Sequence, residues 1–245
     1  MTDISFTDAK ITSKSMKEGL SAGQPFKDDL SPHEKATGSS SDLLQLRNDP
    51  RFVFRSTSIE AIQKGYKDKY GEEVTPGAVV QRVSTAQKLL EASGVRAPVM
   101  RVVAKDDLNR DAIFSVAPLI KSASEDLRPG TAMFNKFVEL CGNLFSYYKN
   151  AYETKTDYFS DIWSISSQYL YGMKEGDTEN NWYLVDVDPY FMSRPDMDLL
   201  GNIKYIHDDL SMWSTDHANH DGLASLITEM QEYLQDHPFT PPQEA

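Results

Sequence analysis

The chain has little cysteine, a shortage of basic charge and no long apolar run, and each of these shortages excludes a class of protein. Its 245 residues include one cysteine, so no intramolecular disulfide can form and a reducing compartment is expected. Lysine and arginine number 25 against 37 aspartate and glutamate residues, a net charge of −12, which argues against nucleic acid or an anionic membrane as a main partner. No segment approaches the ~20 apolar residues that span a bilayer. We therefore expect a cytoplasmic protein without a membrane anchor, with delivery out of the cell as a secreted effector left as an alternative.

Hydrophobic residues make up 40% of the chain and aromatic residues 11%, which is enough for a substantial core. The first 42 residues are not expected to contribute to this core, because they are rich in Ser, Lys, Asp and Gly and show no sustained apolar period. We predict a disordered tail over residues 1–42, acting as a delivery signal, a partner-binding arm or a solubilising segment. The folded part is expected to begin at Leu43.

Residues 43–121 mix strand and helix patterns. The aromatic and β-branched segment Arg51–Arg55 predicts a strand, and the apolar spacing within Ile59–Tyr70 predicts a helix. Thr75–Gly94 reads as an amphipathic helix with a threonine cap, a proline in its first turn and a glycine at its end. Two β-branched runs, Pro98–Ala104 and Ala112–Ile120, predict a hairpin-like pair of strands.

Residues 122–245 are mainly helical in pattern. A wide apolar stripe over Thr131–Tyr152 predicts a long buried helix, and two further amphipathic helices are expected between Leu199 and Leu234. Trp182–Asp188 reads as a compact strand stopped by Pro189. The whole chain is thus expected to be α+β.

Acidic residues close the predicted strand Trp182–Asp188. Alternation along a strand puts Asp186 and Asp188 on one face, where their oxygens suit a hard cation such as Mg²⁺. Asp161 lies on an earlier loop, and a base on one loop with a metal-binding acid on the next suits phosphoryl transfer. Simpler interpretations also stand: Asp186 and Asp188 as solvated turn residues, and Asp161 as the N-cap of a short helix containing Trp163.

From Leu43 to Leu234 the order of elements resembles the protein-kinase-like superfamily, nearer to its aminoglycoside phosphotransferase branch than to ordinary protein kinases. In that family a helix after the third strand precedes two strands and a hinge. A long buried helix, a catalytic loop with an Asp and a downstream Asn, and a strand bearing a metal-binding Asp follow. Asp161 in Phe159-Ser-Asp161 resembles the catalytic-loop Asp, and Asp186 in Leu184-Val-Asp186 resembles the metal-binding Asp. The resemblance implies a two-lobed fold, with a small strand-containing N-lobe over residues 43–121, a mainly helical C-lobe over residues 122–245, and ATP and Mg²⁺ as cofactors.

The chain also departs from the family pattern. Phe159 stands where the family often has His, and Ser166 where a metal-binding Asn is expected, although Gln168 offers an amide oxygen nearby. No G-x-G-x-x-G loop precedes the predicted third strand. Arg55 is the basic residue on the clearest strand, whereas Lys64 and Lys67 lie on a predicted helix. The next helix offers a partner glutamate, Glu91, only near its end.

Three functions are weighed on this basis. The first is an ATP- and Mg²⁺-dependent phosphotransferase, with Asp161 as the base or substrate-orienting acid, Arg55 and Gln168 contacting the cofactor, and Asp186 and Asp188 binding the metal. The second is a catalytically inactive, pseudokinase-like binding, effector or scaffold protein, which the departures favour. The third is an unrelated α+β interaction protein whose acidic surface docks a basic protein partner.

Overall fold

The fold is α+β, with antiparallel sheets and helices that separate into two units, and this confirms the predicted fold class. The computed structural model describes residues 30–32, 43–46, 49–103, 112–214 and 221–238. Unit 1 comprises Met1–Val79 and Val99–Leu119, and unit 2 comprises Val80–Pro98 and Ile120–Ala245. The kinase-like arrangement of two lobes and their boundaries at residues 42 and 121 stay predictions.

Unit 1 is built on a five-stranded antiparallel sheet with the strand order β1-β2-β3-β5-β4. The central pairing joins β3 to β5 from Phe52 opposite Pro118 to Ser58 opposite Ala112. The pairing of β5 with β4 confirms the predicted pair of strands, whose connection lies outside the described residues. The strands are β1 (Leu30–Pro32), β2 (Leu43–Leu46), β3 (Asp49–Ser58), β4 (Val99–Val103) and β5 (Ala112–Pro118).

The first strand of this sheet lies inside the segment that was predicted to be a disordered tail. Leu30–Pro32 pairs with β2, with Leu30 opposite Leu46 and Pro32 opposite Leu44. The sequence Leu-Ser-Pro has no alternation of its own, so its extended form depends on a neighbouring strand that supplies hydrogen bonds. The prediction for residues 1–42 is therefore wrong at these three residues, and the rest of that segment lies outside the described residues.

Two helices follow β3. Helix α1 (Ile59–Tyr70) has the predicted bounds, begins where the Ser58 hydroxyl accepts the amide of Ala61 at 3.1 Å, and ends at Gly71 with φ 66°. A positive φ is costly for any residue with a Cβ, which explains glycine at this end. Helix α2 (Pro76–Ala92) is capped as predicted, because the Thr75 hydroxyl accepts the amide of Ala78 at 3.3 Å. The boundary between the units crosses α2 after Val79.

The centre of unit 2 is the long buried helix α3 (Ala132–Thr154), which confirms the predicted helix. Thr131 caps it by accepting the amide of Phe134 at 3.1 Å. Its aromatic side chains reach two later helices: Phe134 meets Trp213 of α5 (Met197–Ser214) with ring centroids 5.6 Å apart, and Phe145 meets Tyr233 of α6 (Asp221–Asp236) at 5.7 Å. Edge-on contacts of this kind stabilise a core beyond simple area burial.

Short strands and a one-turn helix complete unit 2. A three-stranded antiparallel sheet has the order β6-β8-β9, and a separate pair joins β7 to β10. Among the helices of the described residues, none is both long and apolar enough to cross a membrane. The remaining elements are β6 (Lys121–Ser122), β7 (Tyr158–Phe159), α4 (Ile165–Gln168), β8 (Tyr169–Met173), β9 (Asn181–Leu184) and β10 (Met192–Ser193).

Candidate functional site

Asp161 lies on a loop that is held from two sides within unit 2. The loop leaves β7, whose two residues pair with β10. The amide and the hydroxyl of Ser160 both donate to the carbonyl of Phe191, at 3.1 and 2.6 Å. From helix α5, the side-chain amide of Asn202 donates to the Ser160 carbonyl at 3.0 Å. Asp161 is half-buried, and its Oδ1 atom is buried from solvent. The acid is therefore fixed by backbone contacts on the residue before it.

A third contact reaches this loop from helix α3. The hydroxyl of Tyr147 accepts the backbone amide of Phe159 at 2.8 Å, and both residues are 0% exposed. The contact bonds the central helix of unit 2 to the strand that leads into Asp161.

Gln168 joins the loop that follows Asp161 to the segment that carries Asp186. Its backbone carbonyl accepts two amides, from Val185 at 2.8 Å and from Asp186 at 3.2 Å. Gln168 is half-buried, and its side-chain Oε1 is buried with no hydrogen-bond partner among the described residues. An amide oxygen that accepts no protein donor retains its lone pairs for another group. The structure thus brings together Gln168 and Asp186, two of the predicted site residues.

The predicted strand Trp182–Asp188 is corrected by this same contact. β9 ends at Leu184, because the next two amides turn to the Gln168 carbonyl instead of continuing a ladder. Strand alternation therefore does not extend to Asp186 and Asp188, and their predicted common face does not follow. Asp186 is half-buried, whereas Asp188 is 0% exposed.

Asp188 has a local structural role. It is the N-cap of a single-turn 3-10 helix, Pro189–Phe191, and its Oδ1 accepts the amide of Tyr190 at 2.9 Å. Aspartate is favoured at such positions because it satisfies an amide that has no partner within the helix. The metal-binding role predicted for Asp188 has to compete with this capping contact.

Backbone hydrogen bonds connect these pieces into a closed ring. The Asp161 carbonyl accepts the amide of Ser164 at 3.5 Å, and the Ser164 carbonyl accepts that of Gln168 at 3.0 Å. The Gln168 carbonyl accepts the backbone amide of Asp186, and the amide of Phe191 donates to the Asp188 carbonyl at 3.0 Å. Phe191 in turn accepts from Ser160, next to Asp161. Asp161, Gln168, Asp186 and Asp188 therefore lie in one cluster of adjoining loops.

The alternative of Asp161 as a helix cap does not hold. The short helix α4 begins at Ile165, and its N-cap residue is Ser164. Trp163 lies in a turn before this helix. Trp163 instead stacks on Tyr205 of α5, with ring centroids 4.8 Å apart and an interplanar angle of 15°. Tyr205 is 56% exposed, so this pair forms an open aromatic face two residues from Asp161.

Four buried tyrosines, none of them among the predicted site residues, form a cluster against the strand that leads into Asp161. The tyrosine cluster comes from α3, β7 and β8, and its ring contacts include Tyr147 with Tyr148 and Tyr148 with Tyr158. Burial raises the pKa of Tyr147, Tyr148 and Tyr169, and the negative charge of Asp161 contributes in the same direction at all three. These phenols are therefore neutral hydrogen-bond donors over the whole physiological range. The members are Tyr147, Tyr148, Tyr158 and Tyr169.

A sequence signal for this cluster exists. Two tyrosines adjoin each other on one helix, a third precedes the acidic loop and a fourth follows it. Helical periodicity places one of two adjacent residues on the apolar face, yet Tyr147 and Tyr148 are both 0% exposed, so periodicity alone does not identify this pair.

The predicted basic residues lie in unit 1. Arg55 is in β3, paired with Leu43 and Ser115, and its side chain lies outside the described part of the structure. Lys64 forms an exposed ion pair with Asp68 within α1. Lys67 pairs with Glu73 at 2.8 Å, also at the surface.

The late glutamate of helix α2 has a local partner. Glu91 accepts the side-chain amide of Gln87 at 2.7 Å. The same amide also donates to the carbonyl of Pro98, at 3.2 Å.

Within the described residues, no group of three or more His, Cys, Asp or Glu side chains is placed to hold a metal ion. Mg²⁺ in nucleotide-dependent enzymes is often held by only one or two protein carboxylates together with the phosphates of the substrate, so such a site need not contain three of these side chains. The backbone contact between Gln168 and Asp186 brings one amide side chain and one carboxylate onto adjoining segments of this cluster.

Neither models of protein families nor curated protein sequences give a match to this chain.

Proposed function

We propose that the chain is a kinase-like phosphotransferase that uses ATP and Mg²⁺, with the acidic loop cluster of unit 2 as its catalytic centre. The observation that carries the proposal is the double hydrogen bond to the Gln168 carbonyl, from Val185 at 2.8 Å and Asp186 at 3.2 Å. This contact sets the loop after Asp161 against the segment with Asp186. Phosphoryl transfer needs such an arrangement, with a group that orients the nucleophile on one loop and a metal-binding acid on the next.

The order of elements adds support. Strand β3 is followed by two helices, two strands, the long buried helix α3, the Asp161 loop and the Asp186 segment. Apart from the additional helix before the two strands, this order resembles the one expected of the family. The five-stranded antiparallel sheet of unit 1 agrees with a small strand-containing N-lobe.

Asp161 is the residue proposed to act on the substrate. Its carboxylate orients the attacking hydroxyl and accepts its proton as the new bond to phosphorus forms. The bonds around Ser160 hold the backbone of Asp161 in place, so little ordering is needed when substrate binds. The exposed aromatic face of Trp163 and Tyr205 flanks this acid and offers apolar area to a substrate.

Asp186 and Gln168 are the residues proposed to hold the metal. When bound, Mg²⁺ neutralises charge on the phosphate oxygens of the nucleotide. Gln168 contributes the amide oxygen expected of the family's asparagine, and its Oε1 has no competing donor among the described residues. Asp188 supports this segment by capping the 3-10 helix after it.

A second function is favoured by specific contacts. Asp188 is buried and engaged as a cap, Lys64 and Lys67 are paired at the surface, and Glu91 is bonded to Gln87. Each of these residues is thereby used in a structural contact. A pseudokinase-like binding, effector or scaffold protein, which needs the fold but not the full catalytic set, is the alternative that these contacts support.

A thermal shift experiment with ATP and Mg²⁺ tests the proposal. A ligand that binds only the folded state stabilises it by about 2.7 kcal/mol at a hundredfold excess over Kd. We expect ATP with Mg²⁺ to raise the Tm of the wild type, and Asp186→Asn to abolish the rise because it removes the metal-binding charge.

The neighbouring substitution Asp188→Asn is the matched control. Asparagine caps helices about as well as aspartate, so this variant should fold and keep the shift. A shift that needs no Mg²⁺ and survives Asp186→Asn would indicate a nucleotide-binding pseudokinase. No shift in the wild type would overturn nucleotide binding altogether.

A further inference from the structure

Two buried hydroxyl groups of the tyrosine cluster have no hydrogen-bond partner among the described residues. Tyr148 is 0% and Tyr169 is 4% exposed, and neither hydroxyl oxygen has a partner among the described residues. A buried polar group without a partner costs about as much free energy as a lost hydrogen bond, and native proteins contain few of them. Two such groups in one cluster of side chains therefore call for a common explanation.

Ring contacts place Tyr148 in the tyrosine cluster that packs against the strand leading to Asp161. The ring of Tyr148 lies 5.3 Å from that of Tyr147 and 5.7 Å from that of Tyr158, measured between centroids. Tyr147 is bonded to the amide of Phe159, two residues before Asp161. Tyr169 opens β8 opposite Leu184, on the side of the cluster that carries Asp186.

The charges are consistent with donation toward Asp161. Burial raises the pKa of Tyr148 and Tyr169, so both remain protonated and each has one hydrogen to donate. Among the charged groups that act on these two phenols, Asp161 is the carboxylate common to both. Its own Oδ1 atom is buried.

We propose that a buried water molecule bridges the hydroxyls of Tyr148 and Tyr169 to the carboxylate of Asp161. Buried waters make two to four hydrogen bonds to polar groups that protein atoms leave unsatisfied, and the hydroxyls of Tyr148 and Tyr169 are two such groups. The bridge makes Tyr148 and Tyr169 positioning residues that hold the Asp161 carboxylate. The positioning role rests on the proposed function of Asp161, whereas the hydrogen-bond network does not.

Removing each hydroxyl tests the network through the sign of the change in stability. In the bridged arrangement, Tyr148→Phe and Tyr169→Phe each break a hydrogen bond and leave the water and its other partners less satisfied. We expect each to lower the folded-to-unfolded ratio about tenfold, the effect of one net hydrogen bond. A ratio that is unchanged or higher would overturn the network, because deleting an unsatisfied hydroxyl relieves a cost. Urea unfolding followed by tryptophan fluorescence measures the ratio.

Double-mutant cycles with Asp161→Ala then test whether the bonds lead to Asp161. With the carboxylate removed, each tyrosine substitution should cost less than about threefold, since coupled residues are not additive. Tyr233→Phe is the matched control, because its hydroxyl is also buried without a described partner and its acidic neighbour is Glu153. Its effect should be the same with and without Asp161→Ala. Full additivity for Tyr148 and Tyr169 would overturn the proposal, and if Asp161→Ala does not fold, the signs of the single substitutions decide.

The two proposals can fail separately. If the tyrosine substitutions are coupled to Asp161→Ala but ATP and Mg²⁺ do not raise the Tm, the network stands and the proposed function is overturned. If ATP and Mg²⁺ raise the Tm but the tyrosine substitutions are additive with Asp161→Ala, the proposed function stands and the network is overturned. Tyr169→Phe should keep the nucleotide shift, since the tyrosines act on Asp161 and not on the metal-binding residues.

Discussion

Replacing Tyr147 with phenylalanine removes a single oxygen from the contact that bonds helix α3 to the strand before Asp161. In the wild type this oxygen accepts the amide of Phe159 at 2.8 Å, and both residues are 0% exposed. The phenylalanine ring fills nearly the same space, so packing changes little. The substitution thus isolates the loss of one acceptor.

The expected cost follows from the burial of the amide. With the hydroxyl gone, the N–H of Phe159 is left in a protein interior that water does not reach. An unsatisfied buried donor costs about 1–3 kcal/mol, so we expect the free energy of unfolding of unit 2 to fall by about 2 kcal/mol. With an m-value of about 2 kcal/mol/M in urea, the midpoint should fall by about 1 M.

Tryptophan fluorescence suits this measurement because all three tryptophans, Trp163, Trp182 and Trp213, belong to unit 2. Tyr152→Phe is the matched control on the same helix, since Tyr152 is half-buried and its hydroxyl has no described hydrogen bond. Its effect should stay within about 0.5 kcal/mol. A change below about 0.5 kcal/mol for Tyr147→Phe, with an unchanged m-value, would refute the claim that this contact holds the Asp161 loop.

Two further predictions concern unit 2. A Cβ on Gly172 would lie 2.1 Å from the backbone carbonyl oxygen of Lys121, so Gly172→Ala should separate β6 from β8 and cost more than about 2 kcal/mol. A Cβ on Gly142 in α3 would meet only Leu226 of α6, at 3.8 Å, so Gly142→Ala should instead stabilise by about 0.5–1 kcal/mol. Urea titration of both variants checks the opposite signs. Burial and the hydrogen bond to Asp177 raise the pKa of Tyr183 to about 12 from 10. The protonated phenol therefore contributes fully to the free energy of unfolding below pH 10, and this contribution is lost as the pH rises toward 12. Tyr183→Phe should flatten the loss of stability over that interval in alkaline unfolding curves, and an unchanged slope would contradict it.

The helices were predictable because their signals are local. Ile59–Tyr70 matches the predicted bounds of α1, and both Thr75 and Thr131 cap the helices that follow them, as expected. Apolar spacing and capping residues lie within one or two turns of what they determine. The strand Leu30–Pro32 had no such signal, because its extended form depends on pairing with Leu43–Leu46.

The residues proposed for the candidate site stand out in the sequence, whereas their relative placement does not follow from it. The acidic residues Asp161, Asp186 and Asp188 stand out in the sequence, as does the amide of Gln168. Alternation was the wrong guide to their relation, because the two amides after β9 bind the Gln168 carbonyl. That contact joins segments about 17 residues apart, which no local pattern encodes.

The sequence by itself determined the α+β composition of the fold, the bounds of α1 and the capped starts of α2 and α3. Periodicity, capping and charge are properties of neighbouring residues, so they can be read along the chain. Only the tertiary structure decided that Asp188 caps a 3-10 helix, that the Gln168 carbonyl binds the Asp186 amide, and that buried tyrosines pack against the strand leading to Asp161. These relations depend on which distant segments meet when apolar surface is buried, and every backbone amide that loses water in that process must find a partner.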